Sequence, residues 1–370
     1  MAEPLKNHFG PAVPRRIAAQ ITAVHPAFEV EGFLAVVLDG YEPLDLMARG
    51  RAIARALRRF LPTDYREAVG ILLTSFTSWP ERTAGDGPMA SFFYLPHTQF
   101  VAEFGLDDLE MSLAAQYVLT QRFTAEFSIR PFLDRHLDAT LARLAEWSRD
   151  PEPKVRRLVS EGTRPRLPWA PRVRALLADP RPALELLELL KDDPDPVVRR
   201  SVANHLNDIG KDHPELLAEV ARRWSLGATP ERRALLRHAL RSAVKRGEAA
   251  ALEITGFGGS AEVEVRLPRV SPEQVPRGGR VEFRCEIVSQ GAGPQRVLVD
   301  FQVHYVKANG QAKPKVFKWT VLELAPGQSA SLKKALSLEE RTTRRHYRGR
   351  HKVELLLNGR VEPLGAFELG

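Results

Sequence analysis

The sequence predicts a multidomain chain: an α-solenoid of helical repeats followed by an all-β sandwich. Three observations carry this reading. Asp150-Pro151-Glu152-Pro153-Lys154-Val155-Arg156-Arg157 returns 43 residues later as Asp193-Pro194-Asp195-Pro196-Val197-Val198-Arg199-Arg200, a period that belongs to HEAT and armadillo repeats. Apolar residues keep helical spacing up to about residue 250, and after 260 they alternate. The expected division is therefore a helical domain over 1–250, a linker over 251–260 and an immunoglobulin-like β-sandwich over 261–370.

The repeated phrase is a helix start. Proline lacks an N–H and pushes its predecessor out of the α region, so Asp-Pro-x-Pro fits the N-terminal boundary, where an acid meets the positive end of the dipole. In the second copy Val198, Val202, Leu206 and Ile209 form an apolar stripe for the core. Ser201, Asn204 and Asp208 form a polar stripe. A solenoid turns one polar row to its concave groove, so a ligand is expected to meet Arg200, Asn204 and Asp208.

Earlier helices are expected from Pro14, over Phe33 to Leu38, over Leu44 to Phe60 with Arg49, Arg51, Arg55, Arg58 and Arg59 on the wet side, and over Tyr65 to Phe76. Trp79 to Pro88 reads as a loop. A helix over 107–122 leads to Glu126, which stands among Phe123, Phe127, Ile129 and Phe132. A carboxylate in such a setting needs a partner, and either Arg122 or Arg130 could supply it. After the first repeat helix, with Gly162 expected just past its end, Thr163-Arg164-Pro165-Arg166-Leu167-Pro168-Trp169 is a nonhelical link. Trp169 either plugs a helix joint or stands in the groove as an aromatic platform. Asp208 falls in the last turn of its helix, where the dipole disfavours negative charge, and Lys211 is close enough to offset it.

Composition bounds the function. The 370 residues suffice for two cored domains. The first residues lack the apolar run of a secretory signal, and no stretch reaches the ~20 apolar residues of a membrane span, so a cytoplasmic protein is expected. A single cysteine, Cys285, excludes an internal disulfide and any CxxC metal site, and it falls on the apolar side of an alternating run. Of the net charge of +8, residues 260–370 contribute 19 Lys and Arg against 12 Asp and Glu. A positive field concentrated there suggests a polyanion, most simply nucleic acid.

About seven strands are expected in that region, with turns at Arg277-Gly278-Gly279, Asn309-Gly310, Pro326-Gly327 and Asn358-Gly359. Two basic loops are expected as well. One is Lys307 to Lys318, with Lys313 and Lys315; the other is Arg341 to Lys352, with Arg344, Arg345 and Arg348 interleaved with His and Tyr, a composition suited to phosphate.

The sequence has no P-loop, GxSxG, HExxH or deaminase pattern, and scattered histidines argue against a metal. Neither metal nor cofactor is expected. The segments Glu126-Phe127-Ser128-Ile129-Arg130-Pro131-Phe132, Arg156 to Trp169 and Ser201 to Ile209, with Pro4-Leu5-Lys6 and Leu61-Pro62-Thr63-Asp64-Tyr65, resemble the AlkC branch of the AlkC/AlkD HEAT-like repeat DNA glycosylases. The resemblance covers about residues 1 to 250, and the sandwich is similar to the immunoglobulin-like extension of part of that branch.

The resemblance implies excision of 3-methyladenine and 3-methylcytosine from double-stranded DNA by a monomer that leaves the base near the stack. It implies that Glu126, Glu161 and Asp208 stabilise the oxocarbenium and place a water, in roles that could be permuted, and that Trp169 touches the lesion sugar or backbone. Arg157, Arg164, Arg166, Arg200 and Lys211 are then the candidate phosphate contacts. A noncatalytic HEAT adaptor explains the repeats and the charge equally well, but not acids on a surface meant for a polyanion; a neutral-base glycosylase lacks an evident acid pocket.

Overall fold

The computed structural model describes residues 5–77, 90–340 and 345–370. It divides into two compact units, Met1–Asp212 and His213–Gly370. The change from helix to strand comes later, between Ile254 and Val263.

The first unit is helical: α1 (Ala12–Val24), α2 (Val30–Leu38), α3 (Leu46–Phe60), α4 (Tyr65–Thr77), α5 (Leu95–Phe104), α6 (Leu109–Arg122), α7 (Arg130–Arg135), α8 (Leu137–Trp147), α9 (Pro153–Gly162), α10 (Arg174–Ala178), α11 (Arg181–Leu190) and α12 (Pro196–Ile209). Helices α1 to α6 enclose one core around Ile17, Phe33, Ile53, Leu57, Phe76 and Phe100. Arg49 departs from the expected wet face. It is buried and donates to the carbonyls of Lys6, Phe9 and Glu42, so it ties the N-terminal segment to α3. The Trp79 to Pro88 loop, Pro4 and Arg341 to Arg344 lie outside the described residues.

The repeated phrase does the same work twice. Asp150 and Asp193 each accept the N–H two residues on, at 2.8 Å in both copies. Glu152 and Asp195 then cap α9 and α12 by accepting from Lys154 and Val197. An arginine in each helix, Arg156 or Arg199, returns to the two carbonyls at the start of its own phrase. The copies are also bolted together, because Arg156 grips Asp193 through two hydrogen bonds of 2.6 and 3.0 Å in a buried pair. Helix α9 packs on α6, α8, α11 and α12, and Val198, Val202, Leu206 and Ile209 are buried as their spacing predicts.

The second unit begins with α13 (Pro214–Ser225), α14 (Pro230–Ala239), α15 (Arg241–Lys245) and α16 (Ala249–Ile254). The expected linker thus contains a helix. Leu252 of α16 packs with Phe257 and Leu298, and burying those side chains is what keeps the segment ordered. The strands are β1 (Val263–Ser271), β2 (Gln274–Val275), β3 (Arg280–Ser289), β4 (Gln295–Val306), β5 (Ala312–Leu324), β6 (Ser329–Ser337), β7 (Gly349–Leu357) and β8 (Arg360–Leu369). They form two sheets, β1-β3-β6 and β2-β8-β7-β4-β5. Alternate residues Val281, Phe283, Cys285 and Ile287 of β3 face Val297, Val299, Phe301 and Val303 of β4 in one core, and burial pushes the Cys285 thiol up to about 11. Leu357 pairs with Arg360 across Asn358-Gly359, both at positive φ, the hairpin turn that Asn-Gly favours.

Two basic segments differ from expectation. Lys313 and Lys315 lie on β5, an edge strand, and not in a loop, since Val316, Phe317 and Trp319 extend the strand pattern. Exposed lysines on an edge also discourage pairing with another sheet. In the Arg341 to Lys352 segment, Arg345 and Arg348 are exposed, but His346 and His351 are buried against Tyr305.

Candidate active site and nucleic-acid interface

Two carboxylates lie at the ends of neighbouring helices. Glu161 is in the last turn of α9 and Asp208 in the last turn of α12. Each is disfavoured there by the helix dipole, and each is met by a cation three residues on. Arg164 reaches Glu161 at 2.8 Å, and Lys211 reaches Asp208 at 2.7 Å. Arg164 also spans the gap between the helices, donating to Asp208 Oδ2 from Nε at 2.8 Å and approaching it with Nη2 at 2.7 Å. Burial works against the charge of Arg164, but Glu161 and Asp208 outweigh it and hold its pKa above the ordinary value. Ser201 donates to Glu161 Oε2 at 2.8 Å.

The third acid joins the same chain of contacts. Glu126 accepts from Thr124 at 2.9 Å and pairs with Arg157 at 2.9 Å, and Arg157 also approaches Glu161 at 3.5 Å. The cation that pairs directly with Glu126 is Arg157, one the sequence does not single out for this acid, and Glu126 also acts as a nearby charge on Arg130. Arg130 is wholly buried and donates to the carbonyls of Gly162, Arg164 and Pro171. It clamps the link between α9 and α10 into shape, and burial lowers its pKa to about 10. Gly162 is the last residue of α9, within the helix and not past its end. Its lack of a side chain serves close packing, because a Cβ there would lie 2.6 Å from Ile129 Cγ2.

Trp169 sits on the clamped link. It is 71 % exposed at a φ of 66°, a left-handed conformation that large side chains seldom adopt. An exposed indole held there does not plug a helix joint. Beneath the acids, His205 donates from Nδ1 to the Ser160 carbonyl at 3.0 Å, and burial with the nearby Arg164 lowers its pKa to about 3, so the imidazole is neutral.

The structure thus brings Glu126, Glu161 and Asp208 into one network with Arg157, Arg164 and Lys211. Arg164, expected against phosphate, is instead turned inward between two acids and only 8 % exposed. Arg166 spends two donors on Asp212, while Arg157, Arg166 and Lys211 keep part of their surface in solvent. Arg200 is exposed and Asn204 half-buried on α12, but Ser201 and Asp208 are buried against the neighbouring repeat, so the polar stripe is not one open row. Thr124, Ser201 as a ligand of Glu161, and the clamp role of Arg130 escape the sequence; only the polar spacing of Ser201 hints at its part.

Among the described residues no helix is long and apolar enough to cross a membrane. A helical array with a carboxylate network at its repeat joints, followed by an immunoglobulin-like sandwich, defines a two-part class of repeat protein. The chain belongs to the AlkC branch of the AlkC/AlkD HEAT-like repeat family. It is similar over its whole length to the Pseudomonas fluorescens alkylpurine DNA glycosylase AlkC bound to DNA containing an abasic site analogue, with 37 % identity, complete coverage of both chains and a TM-score of 0.91. The uncharacterised protein YhaZ of Bacillus subtilis is 34 % identical over 97 % of both chains. Residues 264–370 match the family described as the C-terminal Ig-like domain of YhaZ.

Proposed function

We propose that the chain is a monofunctional DNA glycosylase that hydrolyses the N-glycosidic bond of cationic N3-methylated bases, 3-methyladenine and 3-methylcytosine, in alkylated double-stranded DNA. The observation that carries this is the network of Glu126, Glu161 and Asp208 in a basic protein. Acids held at the repeat joints, with Glu161 and Asp208 buried, gain nothing beside cations that could engage phosphate unless a positive charge forms next to them. A methylated base is already cationic and leaves without a general acid. What remains is to stabilise the oxocarbenium on the sugar and to place a water, and fixed carboxylates do both. His205, kept neutral by burial beside the acids, adds no competing positive charge there. The likeness to a DNA-bound alkylpurine glycosylase supports the same reading.

In the free protein the three acids are matched by Arg157, Arg164 and Lys211. Arg157 and Lys211 keep 30 % and 38 % of their side chains exposed, so they are the cations that DNA phosphates can draw outward, leaving Glu126 and Asp208 with negative charge to offer the sugar. Arg164 stays as the buried spacer. Trp169 meets the lesion sugar or backbone, and the base need not leave the stack fully. Arg200, Asn204 and Arg166, with Lys313, Lys315, Arg345 and Arg348 of the sandwich, contact the backbone. The enzyme acts as a monomer in the cytoplasm, without metal or cofactor.

The test is release of methylated bases from alkylated duplex DNA by the whole chain, beside Glu161→Gln and Asp208→Asn variants. Release of 3-methyl bases by the wild type, with loss of on the order of 10² or more in variants that still bind DNA, supports the electrostatic reading. Binding of damaged DNA with no release would instead favour a noncatalytic adaptor.

A further inference from the structure

The repeated phrase of the first unit has a third copy in the second unit, sharing only its proline and its arginine with the other two. Thr229 caps α14 by accepting from the Arg232 N–H, as Glu152 and Asp195 cap α9 and α12, and a proline follows the cap in all three. Arg233 donates to the Ala228 carbonyl five residues back, as Arg156 donates to Pro151 and Arg199 to Pro194. The helix hardly breaks after α14. The Leu240 N–H bonds to Leu236 and the Val244 N–H to Leu240, both at 2.9 Å, so α15 continues it.

The copies share a frame but not a chemistry. Counted from the helix-starting proline, Glu161 of the first copy corresponds to His238, and Asp208 of the second to Ser242. The cations that meet those acids are retained, Arg164 as Arg241 and Lys211 as Lys245. From 232 to 247 the chain carries six Lys and Arg and no Asp or Glu. Leu235, Leu236, Ala239, Leu240 and Ala243 are buried, which turns Arg237, Arg241 and Lys245 to the opposite side, about 6 Å apart along the axis. Arg241 is half-buried, with Nη1 on the His238 carbonyl. Arg237 and Lys245 are exposed and hold no ion pair among the described residues. Asp300 feels Lys245 as a nearby charge, and Lys318 more strongly. Like charges four residues apart weaken a helix, so this row works against the fold that carries it unless an anion lies along it.

We propose that the third copy is an acid-free phosphate site, in which Arg237 and Lys245 hold the backbone of duplex DNA whether or not it is damaged. The inference rests on the reading that the chain acts on DNA, and it gives the copies different tasks. The acids of the first two answer to a cationic lesion; this copy answers to charge alone and supplies affinity without discrimination. Binding of a short undamaged duplex to the full-length protein is measured by fluorescence anisotropy between about 50 and 200 mM salt. The wild type is expected to bind with a steep salt dependence. Arg237→Gln combined with Lys245→Gln should lower the logarithmic slope by about two and weaken binding about tenfold at roughly 0.1 M salt. Ser242→Asp removes no cation, yet it restores the three-residue spacing of Asp208 and Lys211. The new carboxylate then takes Lys245 for itself, and the slope should fall by about one. Both variants should keep the wild-type melt and the wild-type rate of base release at saturating DNA, because the three acids are intact. An unchanged slope in both variants overturns the inference, as does failure of the wild type to bind undamaged duplex. Neither outcome depends on base release, so a wild type that binds DNA and releases nothing refutes the glycosylase reading alone, and the slopes still decide this one.

Discussion

Arg164 and Asp208 form a bond that joins two repeats: two guanidinium nitrogens of one reach a single carboxylate oxygen of the other at 2.7 and 2.8 Å, both side chains being almost wholly inside the protein. The same arginine holds Glu161. Removing it leaves two buried acids short of a counter-charge, the situation in which a broken buried pair costs about 3–5 kcal/mol. Arg164→Met is therefore expected to shift urea unfolding by roughly that amount, because Lys211, Arg157 and Ser201 compensate only in part. Arg164→Lys should fall between, since an ammonium cannot span both acids as a planar fork does. Equal midpoints for wild type and Arg164→Met would show that the pairing adds nothing.

Most of the fold is legible in the sequence because it rests on period. The 43-residue echo, the stripe from Val198 to Ile209 and the alternation in β3 and β4 each state which side chains go inside, and burial follows. The three acids and Trp169 can be singled out because each breaks a local rule: a carboxylate among aromatics, an acid in a last helical turn, an indole in a link. Partners are another matter. Nothing in the spacing says that Arg157 turns to Glu126, that Arg130 binds three carbonyls of the link, or that Arg49 lies inside, because those contacts join residues about 30 to 45 positions apart. An arginine's side is set by which unsatisfied carbonyls or acids the tertiary fold brings to it. The helix α16 was hidden for a similar reason: six residues between glycines form a helix only because Leu252 has Phe257 and Leu298 to pack against.

Asp300 gives a pH dependence of definite sign. Its folded-state pKa is raised to about 6, above the ordinary carboxylate value of 3.8. The folded state therefore favours the protonated form, and the contribution of this group to stability declines as pH rises from about 4 to about 6. Roughly two pKa units correspond to at most about 3 kcal/mol. Asp300→Asn keeps an acceptor for the Trp319 N–H and removes the buried charge. The variant should be more stable than wild type by on the order of 2 kcal/mol at pH 8, and the difference should vanish near pH 4 in urea titrations. A difference independent of pH would show that charge burial is not its cause.

Gly162 fixes how closely α9 approaches Ile129. A Cβ at that position meets Ile129 Cγ2 at 2.6 Å, well inside contact distance. Glu161 precedes it, and the Gly162 carbonyl is one of the three that Arg130 holds. Gly162→Ala should cost about 1–3 kcal/mol by overpacking, more than the helix propensity of alanine returns. If the proposed chemistry holds, base release should fall along with stability, because the same shift displaces Glu161. Thermal melts and base release measured on one preparation test both effects, and a variant as stable as wild type would show that Ile129 yields without strain.

Trp169 offers a test in which stability and function move in opposite directions. Its φ of 66° places a bulky side chain in the left-handed region, which costs on the order of 1 kcal/mol. Its side chain is 71 % exposed, so packing returns little of that cost. Asparagine tolerates the same backbone conformation better than tryptophan does. Trp169→Asn should therefore raise the unfolding free energy by roughly 0.5–1 kcal/mol in urea. If Trp169 contacts the lesion strand as proposed, the same substitution should weaken binding to duplex DNA carrying an abasic analogue by about tenfold, the loss expected for one stacked aromatic contact of at least 1 kcal/mol. A residue kept for folding would show the reverse, a less stable variant with unaltered DNA affinity. Measuring both quantities on one variant separates the two roles, since a strained and exposed tryptophan that serves neither stability nor binding would leave affinity unchanged while stability rises.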